Sequence, residues 1–274
     1  MAWGKTAAPK PAAPPPVYHH STPGQGPVID ATTITSLLAV VALLGGAYAA
    51  SLRLLPKTSS TKTRILFIWH SFDALIHLVF EGSFLWNCFF VSYSLPTTFS
   101  ASNAQHPHIR ILTAPDVYWL KASDKLYGAA YGAGPFSKLW QEYAKADHRW
   151  GGVDLTVVTL EILTVGVGAP LALWICWQLR GEERKGALKR WFWTTVLATA
   201  ELYGGWMTFA PEWFSGSPNL DTSNWMYTWL YLAFFNGLWV VFPLWILWES
   251  YAALSSAMSQ AEMIDLVKYL KKDE

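Results

Sequence analysis

Five stretches of about 20 residues read as helices that cross a bilayer, because a span needs about that many apolar positions. Residues 31–52 carry no charged side chain. Residues 65–88 are apolar but hold Asp73, His77 and Glu81. Residues 155–179 hold Glu161, residues 191–209 hold Glu201, and residues 225–248 hold no charge. Pro211 suits the end of the fourth helix, since proline cannot continue the hydrogen-bond ladder. The pattern predicts an all-α membrane protein, a five-transmembrane-helix bundle.

The polar stretches between the runs set the expected orientation. Lys and Arg gather on the cytoplasmic side of membrane proteins. The first loop holds Arg53, Lys57, Lys62 and Arg64, and the third holds Arg180, Arg184, Lys185, Lys189 and Arg190. Lys268, Lys271 and Lys272 follow the last run, and the loop 212–224 has no basic residue. The expectation is a lumenal N-terminus and a cytosolic C-terminus. Residues 1–28 are rich in Pro, Ala and Gly and read as a disordered tail, with His19 and His20 in a solvated setting. A long second loop covers 92–152, and 256–274 reads as a cytosolic tail. Within that loop, residues 139–150 are amphipathic and read as an interfacial helix. Lys271 and Lys272 stand fourth and third from the end and resemble a dilysine retrieval signal of the endoplasmic reticulum.

Composition agrees with lipid as the solvent. The chain of 274 residues is 52% hydrophobic and 14% charged, well below the quarter usual in soluble domains. Its 17 Trp suit membrane interfaces. A net charge of +1 and the absence of a basic tract with interleaved aromatics give no nucleic-acid signal. Cys88 and Cys176 both lie in apolar runs and read as buried thiols. No nucleotide loop, zinc spacing or nucleophile elbow occurs, so redox and ATP-driven roles have no support.

The ionisable groups inside the runs carry the chemistry. Charge in a membrane is costly and is a functional candidate by default. Asp73, His77, Glu81, Glu161 and Glu201 have no Lys or Arg inside the same runs to pair with. Such acids must stay protonated or meet a cation, which suits proton delivery and a positive intermediate or amine ligand. Asp73, His77 and Glu81 are spaced by four and share one helix face. His77 with Glu81 reads as a proton-transfer pair, while Asp73 reads as lying near the cytosolic edge of its span. Glu161 and Thr164, at i and i+3, share a face, as do Asn236 and Trp239. Trp239 offers packing or a π face to a cation.

At these residues the chain resembles the emopamil-binding-protein family, the sterol Δ8–Δ7 isomerases. The segment Ile76-His77-Leu78-Val79-Phe80-Glu81-Gly82 looks like the family's second-span motif. Trp140 and the residues from Glu142 to Arg149 look like its loop signature. Glu161 with Thr164, then Gly168 to Pro170, resembles its third span, and Tyr203-Gly204 its fourth. Asn236-Gly237-Leu238-Trp239 followed by Pro243 resembles its last. The likeness covers about residues 30 to 255, and a five-helix isomerase-like (EXPERA) domain is expected over 29–255.

The resemblance implies a site from His77, Glu81, Glu161, Thr164, Asn236 and Trp239, with Tyr203, Tyr143, Asp147 and Arg149 in support. It implies an isomerase that moves a sterol ring double bond through a carbocation, with no cofactor and no metal. Implied partners are a sterol or sterol-like hydrophobic substrate, cationic amphiphilic amine ligands, membrane lipid and a homodimer, in the endoplasmic-reticulum membrane. Three departures bear on the substrate. The stretch from Glu81 to Trp140 is long, Gly205 stands where isomerases tend to have Asp, and Ile162 where Thr is common. An isomerase or cyclase acting on another polyprenoid or polyketide, and a non-catalytic lipid-binding protein, are the alternatives.

Overall fold

The computed structural model describes residues 26–95, 118–181 and 186–270. Most of the tail expected over 1–28, the central part of the second loop, and Lys271 and Lys272 lie outside the described residues.

Helix α1 (Ala31–Leu54) begins at a capping box, with the Asp30 carboxylate accepting from Thr33 N and the Thr33 hydroxyl accepting from Asp30 N. Ser60 caps α2 (Thr61–Leu75), which passes through a π-helical segment, Ile76–Glu81, into α3 (Gly82–Phe90). The next membrane-length helix repeats this design. Asp154 caps α5 (Leu155–Leu163), a π-helical segment spans Thr164–Gly168, and α6 (Ala169–Leu179) follows. Helix α7 covers Ala187–Phe214. The last helix opens as a π-helical segment, Met226–Phe235, and continues as α8 (Asn236–Leu270).

Four of these helices are long and apolar enough to cross a membrane: Ala31–Leu54, Thr61–Phe90, Leu155–Leu179 and Met226–Asp265. The segment expected as the fourth span forms helix α7, of 28 residues. Its Thr, Gly and Glu positions leave it short of the hydropathy of the other four. It also runs through Pro211 to Phe214 instead of ending at the proline. The helix of the last span continues into the segment read as a tail, as far as Leu270.

Helix α1 packs on α2, α2 on α6, and α7 along α8. The shared core contains Phe67, Phe84, Val157, Val158, Ile175 and Ile246, all essentially buried. The outward faces are apolar too, with Leu38, Val41, Trp86, Trp177, Trp229 and Val241 exposed. Helices apolar on both sides are what lipid surroundings require.

The described part of the second loop is folded. Strand β1 (Ser92–Ser94) pairs antiparallel with β2 (Lys125–Tyr127), Ser92 opposite Tyr127. Gly128 follows at φ +130, where a Cβ would lie 2.6 Å from the Gly151 carbonyl, so this close turn needs glycine. Helix α4 (Pro135–Tyr143) comes next. The interfacial helix expected at 139–150 is corrected here: the helix ends at Tyr143, and Trp140, Glu142, Arg149 and Trp150 are buried. Trp140 stacks on Trp150 at 4.7 Å and donates to Ser83 Oγ at 3.0 Å. The amphipathic face turns toward the bundle because its polar residue, Glu142, finds partners there. It accepts from Thr33 of α1 and from Tyr231 of the last helix, both at 2.9 Å.

Candidate active site

The three π-helical segments meet the same cavity. The first contains His77 and Glu81, the second opens with Thr164, and the third ends next to Asn236. π-Helical turns inside α-helices recur at functional sites because they widen the helix and turn side chains off the regular face. The cavity has a volume of about 980 Å³. Its walls include Phe80, Leu160, Leu171, Leu197, Phe235 and Leu238, and Trp140, Tyr143 and Trp150 from the second loop also line it. No Lys or Arg is among its described lining residues. Its size and apolar walls with a few convergent polar groups are those of a small-molecule site.

The polar groups form one chain along the wall. His77 Nε2 lies 2.9 Å from Asp73 Oδ1, and His77 Nδ1 contacts Glu81 Oε2. Both ring nitrogens therefore face carboxylates, an arrangement complete only when both carry hydrogen. Thr164 Oγ1 is 2.9 Å from Glu81 Oε2 and 2.7 Å from Glu161 Oε2. A hydroxyl has one proton and can donate to only one of them. Both contacts are hydrogen bonds only when one carboxyl carries a proton and donates to Oγ1. The wall thus presents an imidazole between two carboxyls, and a hydroxyl between two carboxyls.

Asp73 is the main correction to the sequence reading. It is fully buried and belongs to the cluster, accepting from Trp239 Nε1 at 2.8 Å as well as facing His77. Helix α2 begins at Thr61, so Asp73 lies about three turns into it, one turn before His77. Trp239 therefore enters the site through its indole N–H, with its ring centroid 6.3 Å from that of His77. Glu201 is buried close to Asp73 and His70.

The remaining residues occupy other places. Asn236 lines the cavity and donates to Tyr143 Oη at 2.9 Å and to the Leu232 carbonyl at 2.9 Å. This joins the second loop to the last helix. Burial, reinforced by Asp147, holds the Tyr143 phenol above its ordinary range and keeps it a neutral hydroxyl. Tyr203 lines the cavity but is largely exposed and stands apart from the cluster. Asp147 and Arg149 lie outside the cavity wall and form a clamp. Arg149 Nε and Nη2 donate to Asp147 Oδ1 and Oδ2 at 2.9 and 2.6 Å, and Nη1 donates to the Thr208 carbonyl of α7 at 2.6 Å. Burial works against the guanidinium charge, but the Asp147 carboxylate outweighs it and raises the Arg149 pKa. Glu142, which the sequence reading took only as part of a loop signature, ties α1 to the last helix. A buried glutamate on an amphipathic helix gives no sequence signal of its partners.

Residues 135–250 match the family model EXPERA (EXPanded EBP superfamily). The chain is similar to a mouse protein named 3-beta-hydroxysteroid-Delta(8),Delta(7)-isomerase, at 31% identity over 124 residues, 45% of this chain and 52% of the mouse protein. The guinea-pig protein of the same name is 32% identical over 108 residues, 39% of this chain and 45% of that one. A protein of Oryza sativa subsp. japonica, named "Probable 3-beta-hydroxysteroid-Delta(8),Delta(7)-isomerase", is 25% identical over 227 residues, 83% of this chain and 80% of its own length. The chain thus spans about half the length of the mammalian relatives it matches. Through residues 135–250 the chain is similar to the EXPERA (EXPanded EBP) superfamily.

Proposed function

We propose that the chain is a sterol Δ8–Δ7 isomerase, and that the cluster at His77, Glu81 and Glu161 moves the protons. The observation that carries this reading is the cation-poor polar chain on the wall of an otherwise apolar cavity. The reaction adds a proton to C9 of a C8–C9 double bond and leaves a cation at C8. Loss of a proton from C7 then forms the C7–C8 double bond. One carboxyl of the Glu81–Thr164–Glu161 array supplies the first proton, and the array with His77 receives the second, so the enzyme ends with the protons it began with. The surplus of carboxylates stabilises the cation, and Trp239 forms the cation-facing wall. The same surplus favours cationic amphiphilic amines as inhibitors. Asn236, Tyr143 and Tyr203 shape the cavity, while Asp147 and Arg149 support it by fixing the loop.

The membrane arrangement belongs to the same proposal. Helix α7 is the fifth span, the N-terminus is lumenal, the C-terminus is cytosolic, and the protein resides in the endoplasmic reticulum as a homodimer. Sterol analysis of isomerase-deficient cells expressing the chain tests the function. Accumulation of Δ7 sterols is expected. Unchanged Δ8 sterols despite good expression in the reticulum would overturn the reading.

One observation favours a second reading, a different polycyclic substrate. Gly205 lines the cavity, and a Cβ at Gly204 or Gly205 would meet nothing within 4 Å. The wall is therefore open where related isomerases tend to have Asp. Recovery of an isomerised product from a non-sterol polyprenoid, with Δ8 sterols left untouched, would favour this reading.

A further inference from the structure

Beside the proton-handling array lies a second cluster, made of His70, Asp73 and Glu201. One ligand atom from each lies within 4.8 Å of the others. His70 is fully buried and Glu201 is 8% exposed. Neither nitrogen of His70, neither carboxylate oxygen of Glu201, and not Asp73 Oδ2 has a hydrogen-bond partner among the described residues. Buried polar atoms are nearly always paired, and each exception calls for a physical explanation. The neighbouring trio of His77, Glu81 and Glu161 is equally close-set, yet its atoms satisfy one another and Thr164. The two clusters thus differ in kind: one is closed on itself, and the other gathers three ligand groups whose free polar atoms lack hydrogen-bond partners.

We propose that His70, Asp73 and Glu201 bind one first-row transition-metal dication of the zinc or manganese type. One imidazole nitrogen with two carboxylate oxygens is a donor set that such ions accept. Around a dication at ~2.1 Å the ligand atoms would stand roughly 3.4 Å apart, so small side-chain rotations close the present spacing. Charge points the same way. His77 offsets one of the carboxylates it faces, and a shared proton neutralises another at Thr164. Two negative charges then remain in a region whose described cavity wall holds no Lys or Arg, and a dication cancels them. A proton shared between Asp73 and Glu201 is the rival occupant, but it leaves both nitrogens of His70 unpaired. Asp73 Oδ1 faces His77 while Oδ2 faces the metal, so the ion would hold the carboxylate that orients His77. It would also join α7 to α2, at the span with the weakest hydropathy.

The test uses the full chain, purified in detergent through a tag without histidine, stripped with chelator and titrated with Co²⁺, whose visible absorption reports a protein-ligated site. The expected result is one Co²⁺ per chain, displaced by Zn²⁺, retained when His19 and His20 are both replaced by Ala, and lost in both His70→Gln and Glu201→Gln. Wild-type protein that takes up no ion overturns the proposal and leaves the shared proton as the occupant. Uptake unchanged in both substituted proteins also overturns it. The readout is metal uptake, so it is independent of whether the substrate is a sterol. If a substituted chain does not fold, the wild-type titration still decides.

Discussion

Two buried charge clusters stand in or around the cavity, and they are built on opposite rules. At Asp147, Arg149 and Glu212 a guanidinium forks onto one carboxylate, lies 3.8 Å from a second, and also donates to a backbone carbonyl of α7. Glu212 in turn accepts from the Asn219 backbone N–H and side-chain amide at 3.0 and 2.7 Å. Each charge has a fixed partner, and the group joins loop to loop. At Asp73, His77, Glu81, Glu161 and Glu201, with His70 beside them, four carboxyls meet two imidazoles, at a cavity whose described lining holds no Lys or Arg. A paired cluster has nothing left to offer a ligand. An unbalanced one can hold movable protons and attract positive charge, which is why the proposed chemistry is assigned to the second and a supporting role to the first.

The comparison breaks first at Glu161. Glu161→Gln keeps the shape but removes a carboxyl from the Thr164 array, so turnover is expected to fall about 10²–10⁴-fold with little change in thermal stability. Normal turnover in this variant would show that the unbalanced cluster is not the reacting group. Arg149→Met should do the reverse. It leaves Asp147 buried without its partner, and stability is expected to drop by about 3–5 kcal/mol, read by thermal unfolding in detergent. The surviving folded fraction should retain most of its turnover per molecule, and a specific loss of rate without loss of stability would move Arg149 into the chemistry.

Smaller changes sharpen the boundary between the two. Glu142→Leu strips the Thr33 and Tyr231 hydroxyls of their shared acceptor and should cost about 1–3 kcal/mol by the same unfolding measurement. Asn236→Ala removes the bond to Tyr143 at the cavity edge. About 1 kcal/mol of stability is expected to go, with a rise in substrate KM larger than the fall in kcat. Asp154, the cap of α5, has the smallest expected effect. Burial raises its pKa, so its ionisation costs more in the folded than in the unfolded chain. Stability should therefore decrease as pH rises from the ordinary Asp range through the raised value, and Asp154→Asn should remove this dependence while still capping the helix.

The sequence made the helices and the acids legible for different reasons. Apolar runs of spanning length located the four most hydrophobic helices, because the bilayer imposes length. The run at 191–209 also forms a helix, but its Thr and Gly content leaves it below the hydropathy of the other four. His77, Glu81, Glu161 and Thr164 were legible because helical spacing puts their side chains on common faces. Asp73 was misplaced because its role depends on Trp239 and His77 together, and a partner 166 residues away leaves no local pattern. The His70–Asp73–Glu201 cluster stayed hidden for the same reason, since two of its members share α2 and the third comes from α7. The π-helical segments that aim the site also escape a reading built on the α-helical period. The amphipathic loop helix misled because a polar stripe looks alike whether it meets water or buried hydroxyls.

The central claim is that the unbalanced cluster isomerises a polycyclic lipid by proton transfer. Purified wild-type chain in lipid vesicles, given a Δ8 sterol beside Glu161→Gln at equal folded concentration, tests it most directly by product analysis. Conversion to the Δ7 sterol by the wild type, reduced at least about 100-fold in the variant, is the expected result. Equal conversion by both proteins, or none by folded wild type, would contradict it.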